Sequence, residues 1–412
     1  MGVLAKRSKD KNVVDTVFTM VKKAQDAKIK YGEENVIDVT LGALCTEDGR
    51  LTIFDSVSEV YKNLGNMDIA PYAESFIGDR DFLKEMKSWV LGQYEYKFIN
   101  VGALATPGGS GSVSSTFKNI LDPGQTVLIP NIGWVSYKIM AIEHDLKVET
   151  YELFDENDEF NIKDFKEKAT RIMKAQGKVL SVINDPCHNP TGYSMSNSQW
   201  KDIVDLMNDL SKDGNFVLLN DIAYIDYSVR GYNESRKYME NFIDLSPKNL
   251  VIFSFSCSKT LTEYGLRVGG SVFISNEKKN IDEYMTANEF TCRGIWSNIP
   301  KGGMKLFSKI QSDKILKDKL IEERDSYIKL LEKRSKIFLE EAREVGLEVY
   351  PYKEGFFITL KMESEKIKEN LEKLNKENIY PIEVAHGIRI AICGSSVKKL
   401  KGLAKKIKNI IS

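Results

Sequence analysis

The chain is poor in the residues that build metal centres and disulfide frameworks. It has three histidines, His144, His188 and His386, and five cysteines. Cys45, Cys187, Cys257, Cys292 and Cys393 are scattered, odd in number and never spaced C-x-x-C. That pattern excludes a disulfide scaffold and reads as reduced, cytoplasmic usage. No metal site is expected from so few histidines. Net charge is absent as well, with 59 basic and 59 acidic side chains giving a formal charge of zero. Nucleic acid is therefore not expected as the main partner, because phosphate binding calls for a net basic face. The lysine-rich segment 398–408 reads as the polar side of a surface helix. No apolar run approaches the roughly 18 residues of a membrane span. The N-terminus shows no apolar h-region, so no signal peptide is expected. Nucleotide fingerprints are missing too. The loop Gly108-Gly109-Ser110-Gly111-Ser112 has neither the G-K-[ST] of a P-loop nor the third glycine of a dinucleotide motif.

What is present is enough apolar material for a large core: 42% hydrophobic over 412 residues. That length suggests two domains, or one large α/β unit with an extension. Residues 1–12 read as a charged flexible arm. Helical patterns follow at 13–29, 55–64 and 80–93, with a short strand at 36–39 and a glycine turn at Gly42. From about residue 100 the pattern becomes regular. Apolar segments at 126–130, 146–152, 179–184, 216–221, 250–255 and 271–274 alternate with helical patterns such as 198–212. This alternation indicates α/β architecture, a mostly parallel, doubly wound sheet flanked by helices. Residues 312–345 form one helical pattern too long for an ordinary core helix, expected to bridge to a second unit. Residues 348–411 read as a small α+β domain that the N-terminal segment joins. The expected division is 13–49 with 327–412 as the small domain, and 50–326 as the large one.

The most informative stretch is 251–270, VIFSFSCSKTLTEYGLRVGG. It opens as a strand buried on both faces and then delivers Lys259. An amine at that place loses hydration, its pKa falls, and the neutral form becomes a nucleophile toward a carbonyl. Arg267 supplies a fork for phosphate. Lysine, hydroxyls and arginine together suggest pyridoxal phosphate. Ser256-Cys257-Ser258-Lys259 also matches the S-x-x-K of serine acyl-enzymes, but the K-T-G partner of that motif is absent.

In an open parallel sheet, ligands bind beyond the carboxyl ends of the strands. Four separate strands deliver Trp134, Asn189, Asp221 with Tyr224, and Lys259 to that edge. Asp221 suits a protonated pyridine nitrogen. Asn189 and Tyr224 suit the phenolic oxygen of the ring, and Trp134 suits its face. The glycine loop, with Gly108, Gly109 and Ser110, offers backbone N–H groups at a helix N-terminus to a phosphate.

With those residues in view, the chain resembles the fold type I aminotransferases, class I/II, and most closely the aspartate and aromatic amino acid branch. Cys187-His188-Asn189-Pro190-Thr191-Gly192, Asp221-Ile222-Ala223-Tyr224 and Ser256 to Lys259 with Tyr264 to Gly269 carry the likeness. It runs from about Asp15 to near the C-terminus. The resemblance implies a large domain with a seven-stranded sheet, and catalytic roles for Lys259, Asp221 and Tyr224. Ser256, Ser258 and Arg267 join the cofactor set. Gly387-Ile388-Arg389 resembles the segment whose arginine grips the substrate α-carboxylate, with Gly42 and Asn189 nearby. Arg293 resembles the arginine that reaches into a neighbouring subunit and holds a distal carboxylate. Tyr72 resembles the tyrosine that contacts the neighbour's phosphate. The family's phosphate loop usually has serine where Gly108 stands. Ile299 replaces a proline usual after the Ser297-Asn298 pair. The implied activity is ping-pong transfer of an amino group between an acidic or aromatic L-amino acid and a 2-oxo acid, in a homodimer, with Lys259 as the imine-forming lysine. A C–S or C–C lyase using the same cofactor is the alternative.

Overall fold

The computed structural model describes residues 3–5, 8, 9, 11 and 16–412; most of the expected arm and the start of the helix expected at 13–29 lie outside that range. The helix is described over Thr16–Tyr31. Among the described residues the strands are β1 (Ile37–Asp38), β2 (Asn100–Pro107), β3 (Thr126–Pro130), β4 (Lys147–Tyr151), β5 (Lys178–Asn184), β6 (Asn215–Asp221), β7 (Asn249–Ser256), β8 (Val268–Ser275), β9 (Phe357–Lys361), β10 (Ile379–Tyr380), β11 (Ile382–Val384) and β12 (Gly387–Ala391).

Seven of them form one sheet in the order β2-β8-β7-β6-β5-β3-β4. The strands β4, β3, β5, β6 and β7 are parallel, and β8 runs antiparallel to both β7 and β2. Every residue of β7 and β8 is buried, as expected of apolar strands covered on both faces. Five of the six expected segments fall on parallel strands, and 271–274 is the second half of β8. The strand β2 was not expected. Its sequence, NVGALATP, is short of β-branched and aromatic residues, so it gives little strand signal on its own. Pairing with β8 decides it.

Register sets the site. Asn184 lies opposite Asp221, and Asp221 opposite Ser254, so β5, β6 and β7 end level. Thr106 and Pro107 lie opposite Gly269 and Val268. The helix Gly108–Ile120 therefore starts beside Arg267. A Cβ on Gly269 would collide with the Phe255 carbonyl oxygen and stand 2.7 Å from the Gly108 carbonyl carbon. Only glycine permits that approach.

The expected long helix spans Lys314–Glu344, and Asp313 caps it by accepting from the N–H groups of Ile315 and Leu316. The short strand expected at 36–39 is β1, which pairs in parallel with β10. The surface helix expected at 398–408 is broken into Val397–Leu400 and Leu403–Ile411 by Gly402, whose φ is 81°. Strands β11, β12 and β9 form an antiparallel sheet. A separate buried cluster joins Val39 to Phe338, Ile358, Ile390 and Ile407. The two ends of the chain thus share one core.

Candidate active site

Lys259 sits in a single helical turn, Cys257–Thr260, that follows β7 directly. Burial pulls its amine below the usual lysine value, Asp221 opposes that shift and Arg267 adds to it. Its Nζ lies 5.4 Å from the centroid of the Tyr224 ring. Tyr224 is itself buried, and burial raises its phenol.

Asp221 closes β6. Burial raises its carboxyl, and two donors hold it back. Tyr137 Oη donates to Oδ2 at 2.6 Å, and the Ala223 N–H to Oδ1 at 3.1 Å. Asn184 Nδ2 donates to the Asp221 carbonyl at 2.8 Å and accepts the Asn189 N–H through Oδ1 at 2.7 Å. Asn189 Oδ1 in turn accepts from Arg389 Nη1 at 3.2 Å. Arg389 Nη2 donates to the Thr40 carbonyl at 2.7 Å, and the guanidinium lies 4.4 Å over the Phe357 ring. Arg389 is buried, and its Nε has no partner among the described residues. Burial depresses its pKa, opposed by Tyr224 and Cys393 and by no carboxylate. A buried guanidinium without a counter-charge is costly. An anionic ligand would supply the missing partner.

Gly42 follows Thr40 on the same segment. A Cβ there would stand 2.5 Å from the Phe357 ring, so glycine lets the segment lie against that ring. The Leu44 N–H, two residues on, donates to Tyr264 Oη at 2.9 Å.

The glycine loop, the serines and Arg267 also meet. Arg267 holds a left-handed backbone, φ 53°. Its Nη1 donates to Ser258 Oγ at 3.1 Å and to the Tyr264 carbonyl at 3.0 Å. Gly108 has φ +67°, and a Cβ on it would stand 2.5 Å from Arg267 Nη2. A side chain at 108 would therefore strain the backbone and require the Arg267 guanidinium to move. A Cβ on Gly109 would touch Ser256 Cβ at 3.4 Å. Trp134 is partly buried and meets Tyr137 edge-on, with centroids 5.4 Å apart.

Two expected residues stand apart. Tyr72 is exposed, at 85% of its full surface. Arg293 is exposed, donates to Ser297 Oγ at 2.7 Å and lies 5.1 Å over Phe76. Among the described residues, no hydrogen bond or ring contact links either to Lys259, Asp221 or Arg389. Sequence reasoning also missed Tyr137, Asn184 and Thr40. Tyr137 had a weak signal, one helical turn after Trp134. Asn184 ends an apolar strand, as Asp221 does.

The family model for class I and II aminotransferases matches residues 34–407. The chain belongs to this family. An aminotransferase from Anaerococcus prevotii, a crystal structure, superimposes with a TM-score of 0.95 at 31% identity, over 99% of each chain. The aspartate aminotransferase of Salmonella typhi is 23% identical over 75% of this chain and 77% of its own. The aromatic-amino-acid aminotransferase of Pseudomonas aeruginosa is 24% identical over 68% and 69%. This aminotransferase is thus a transaminase acting between amino acids and 2-oxo acids, and the lyase reading is not favoured. Enzymes of its family use pyridoxal 5'-phosphate. The residues present fit that group. A helix N-terminus with free N–H groups stands beside Ser256, Ser258 and Arg267 for a phosphate. A buried carboxylate is available for a cationic ring nitrogen, and burial draws the amine of Lys259 below its usual value.

Proposed function

We propose that this aminotransferase takes an acidic or aromatic L-amino acid, aspartate, glutamate or tyrosine, with 2-oxoglutarate as acceptor. The observation that carries the reading is Arg389, a buried guanidinium whose Nε lacks a partner. It is the place for a substrate α-carboxylate, with Asn189 fixing its plane.

Pyridoxal phosphate, when bound, supplies the electron sink for charge developing at the substrate α-carbon. The chain's own residues do the rest. Asp221 holds a proton on the ring nitrogen. Asn189 and Tyr224 hold the phenolic oxygen, and Trp134 covers the ring face. Gly108 and Gly109 through their N–H groups, with Ser110, Ser256, Ser258 and Arg267, grip the phosphate. Lys259, with its amine shifted toward the neutral form, would take the proton from the substrate α-carbon. Gly42 leaves room for the segment that closes on the substrate.

The exposure of Tyr72 and Arg293 supports a homodimer in which each completes the partner's site, Tyr72 at the phosphate and Arg293 at a distal carboxylate. The shared core of Val39 and Ile390 supports a small domain of 13–49 with 327–412, closing on a large domain of 50–326. Five free cysteines support a cytoplasmic location. No helix among the described residues is long and apolar enough to cross a membrane.

The test is spectroscopic. Holoenzyme is titrated separately with L-glutamate, L-aspartate and L-tyrosine while its visible absorbance is followed. Bleaching of the band by an amino acid is expected, and the concentrations needed rank the donors. Arg293→Ala should raise the concentration of acidic donors required and leave tyrosine unchanged. No visible band, even with added pyridoxal phosphate, would overturn the role of Lys259.

A further inference from the structure

A second polar cluster lies directly behind Lys259. The turn Ile225–Tyr227 follows Tyr224. From it, Tyr227 Oη donates to the Lys259 carbonyl at 3.0 Å. Asp226 Oδ2 accepts from the hydroxyl of Thr260, the next residue, at 2.7 Å. Two side chains of one turn thus hold the carbonyl of the reacting lysine and the hydroxyl of the residue that follows it.

Asp226 is buried and itself held from behind. Trp89 Nε1 donates to Oδ2 at 3.0 Å, and Arg236 Nη2 to Oδ1 at 2.9 Å. Arg324 Nη1 lies 3.9 Å from Oδ2. Arg236 lies 3.8 Å over the Tyr232 ring, and Arg324 lies 5.2 Å over Trp89, with Lys317 also 5.2 Å from Trp89. Burial raises the Asp226 carboxyl, and Arg324 with Arg236 outweighs it, leaving it below the usual range. The ionised form of the carboxyl is therefore favoured. A charged acceptor binds a hydroxyl more firmly than a neutral one. Thr260 has a poorer alternative in the Ser256 carbonyl, 3.4 Å away.

We propose that Asp226 is a positioning residue: through Thr260 it fixes the Lys259 turn against the segment that leaves β6 at Asp221 and carries Tyr224, and so sets the reach of the Lys259 amine. Trp89, Arg236 and Arg324, brought in from the helices Arg80–Leu91 and Lys314–Glu344 and from the segment before Lys237, anchor the clamp to the body of the protein. The inference rests on Lys259 being the reacting amine.

The experiment compares Thr260→Val, Thr260→Ser, Asp226→Asn and the Thr260→Val/Asp226→Asn double variant as holoenzymes. The readouts are kcat, the pH midpoint of the visible absorbance band, and thermal melting. Thr260→Val removes the hydroxyl and changes no charge. It should lower kcat by about 10- to 100-fold, the range for a misplaced reacting group, and shift the spectral midpoint. Thr260→Ser should restore both. The double variant should lose less in kcat than the product of the two single losses, because both changes act on the same contact, one by removing the donor and the other by weakening the acceptor. If Asp226→Asn fails to fold, Thr260→Val against Thr260→Ser decides. A Thr260→Val enzyme with lower melting but wild-type kcat and spectral midpoint would overturn the clamp and leave the role of Lys259 standing. A wild-type protein with no visible band would overturn both.

Discussion

Tyr137 and Asp221 share a hydrogen bond of 2.6 Å, formed across 84 residues of sequence and buried at both ends. The phenol, held protonated by its burial and by that carboxylate, can only donate. It is the side-chain donor that offsets the burial of Asp221.

Tyr137→Phe removes that donor, so the Asp221 carboxyl should rise further. Asp221 then takes up a proton at higher pH and loses its hold on a cationic ring nitrogen. The acid limb of the kcat/KM profile should move to higher pH. The expected loss at the optimum is about 10- to 100-fold, from a hydrogen bond to a charged group worth about 1.5–3 kcal/mol. An acid limb that stays in place would show that Tyr137 only packs.

Arg389 should trade stability for function. Arg389→Met removes a buried guanidinium whose Nε is unpaired. Replacing a buried ion pair by apolar residues of similar volume is often neutral or stabilising by about 1–4 kcal/mol, and a buried charge with no counter-charge has less Coulomb energy to lose. The apoenzyme should melt no lower than wild type, by calorimetry, while kcat/KM for every amino acid falls about 100-fold or more, as two charged hydrogen bonds to a carboxylate are lost. A variant that melts lower without ligand would mean that Thr40 and Asn189 already satisfy the arginine.

Gly108→Ala tests the phosphate cradle. The new methyl would meet Arg267 Nη2 at 2.5 Å with the backbone at φ +67°. Left-handed alanine costs about 1 kcal/mol, and the arginine must move. Cofactor affinity, measured by fluorescence titration of the apoenzyme, should fall about 10-fold or more, at 1.4 kcal/mol per decade. Unchanged affinity would place the phosphate away from Arg267.

Asp185 should report through stability. Burial raises its carboxyl to about 6, although the Met195 N–H and Trp200 Nε1 both donate to it. A raised carboxyl favours the folded state most below the unfolded value. That contribution is lost as pH climbs from about 4 through about 6. Asp185→Asn is neutral throughout, so its stability relative to wild type should improve across the same window, by up to about 3 kcal/mol. Urea unfolding at the two ends of the window measures the difference, and a constant gap would refute the assignment.

The strand ends carrying Asn189, Asp221 and Lys259 were legible because a run buried on both faces is apolar throughout, and the first polar residues after it mark its end. The same rule found β3, β5, β6 and β7 almost to the residue. It failed for β2, whose small residues carry little strand preference. It also failed for the break at Gly402, which a helical apolar pattern passes over.

The sequence alone therefore determined the α/β class and the family, and singled out the lysine with its glycine, serine and arginine neighbours, because burial period and motif spacing are short-range properties of the chain. It left open how distant residues meet. Tyr137 on Asp221, Asp226 on Thr260, Arg389 on Asn189 and Arg267 in the place of a residue-108 side chain were decided by the tertiary structure. The reason is register. Which polar atoms face one another depends on how β5, β6, β7 and β8 align, and that alignment is set by packing of the whole sheet.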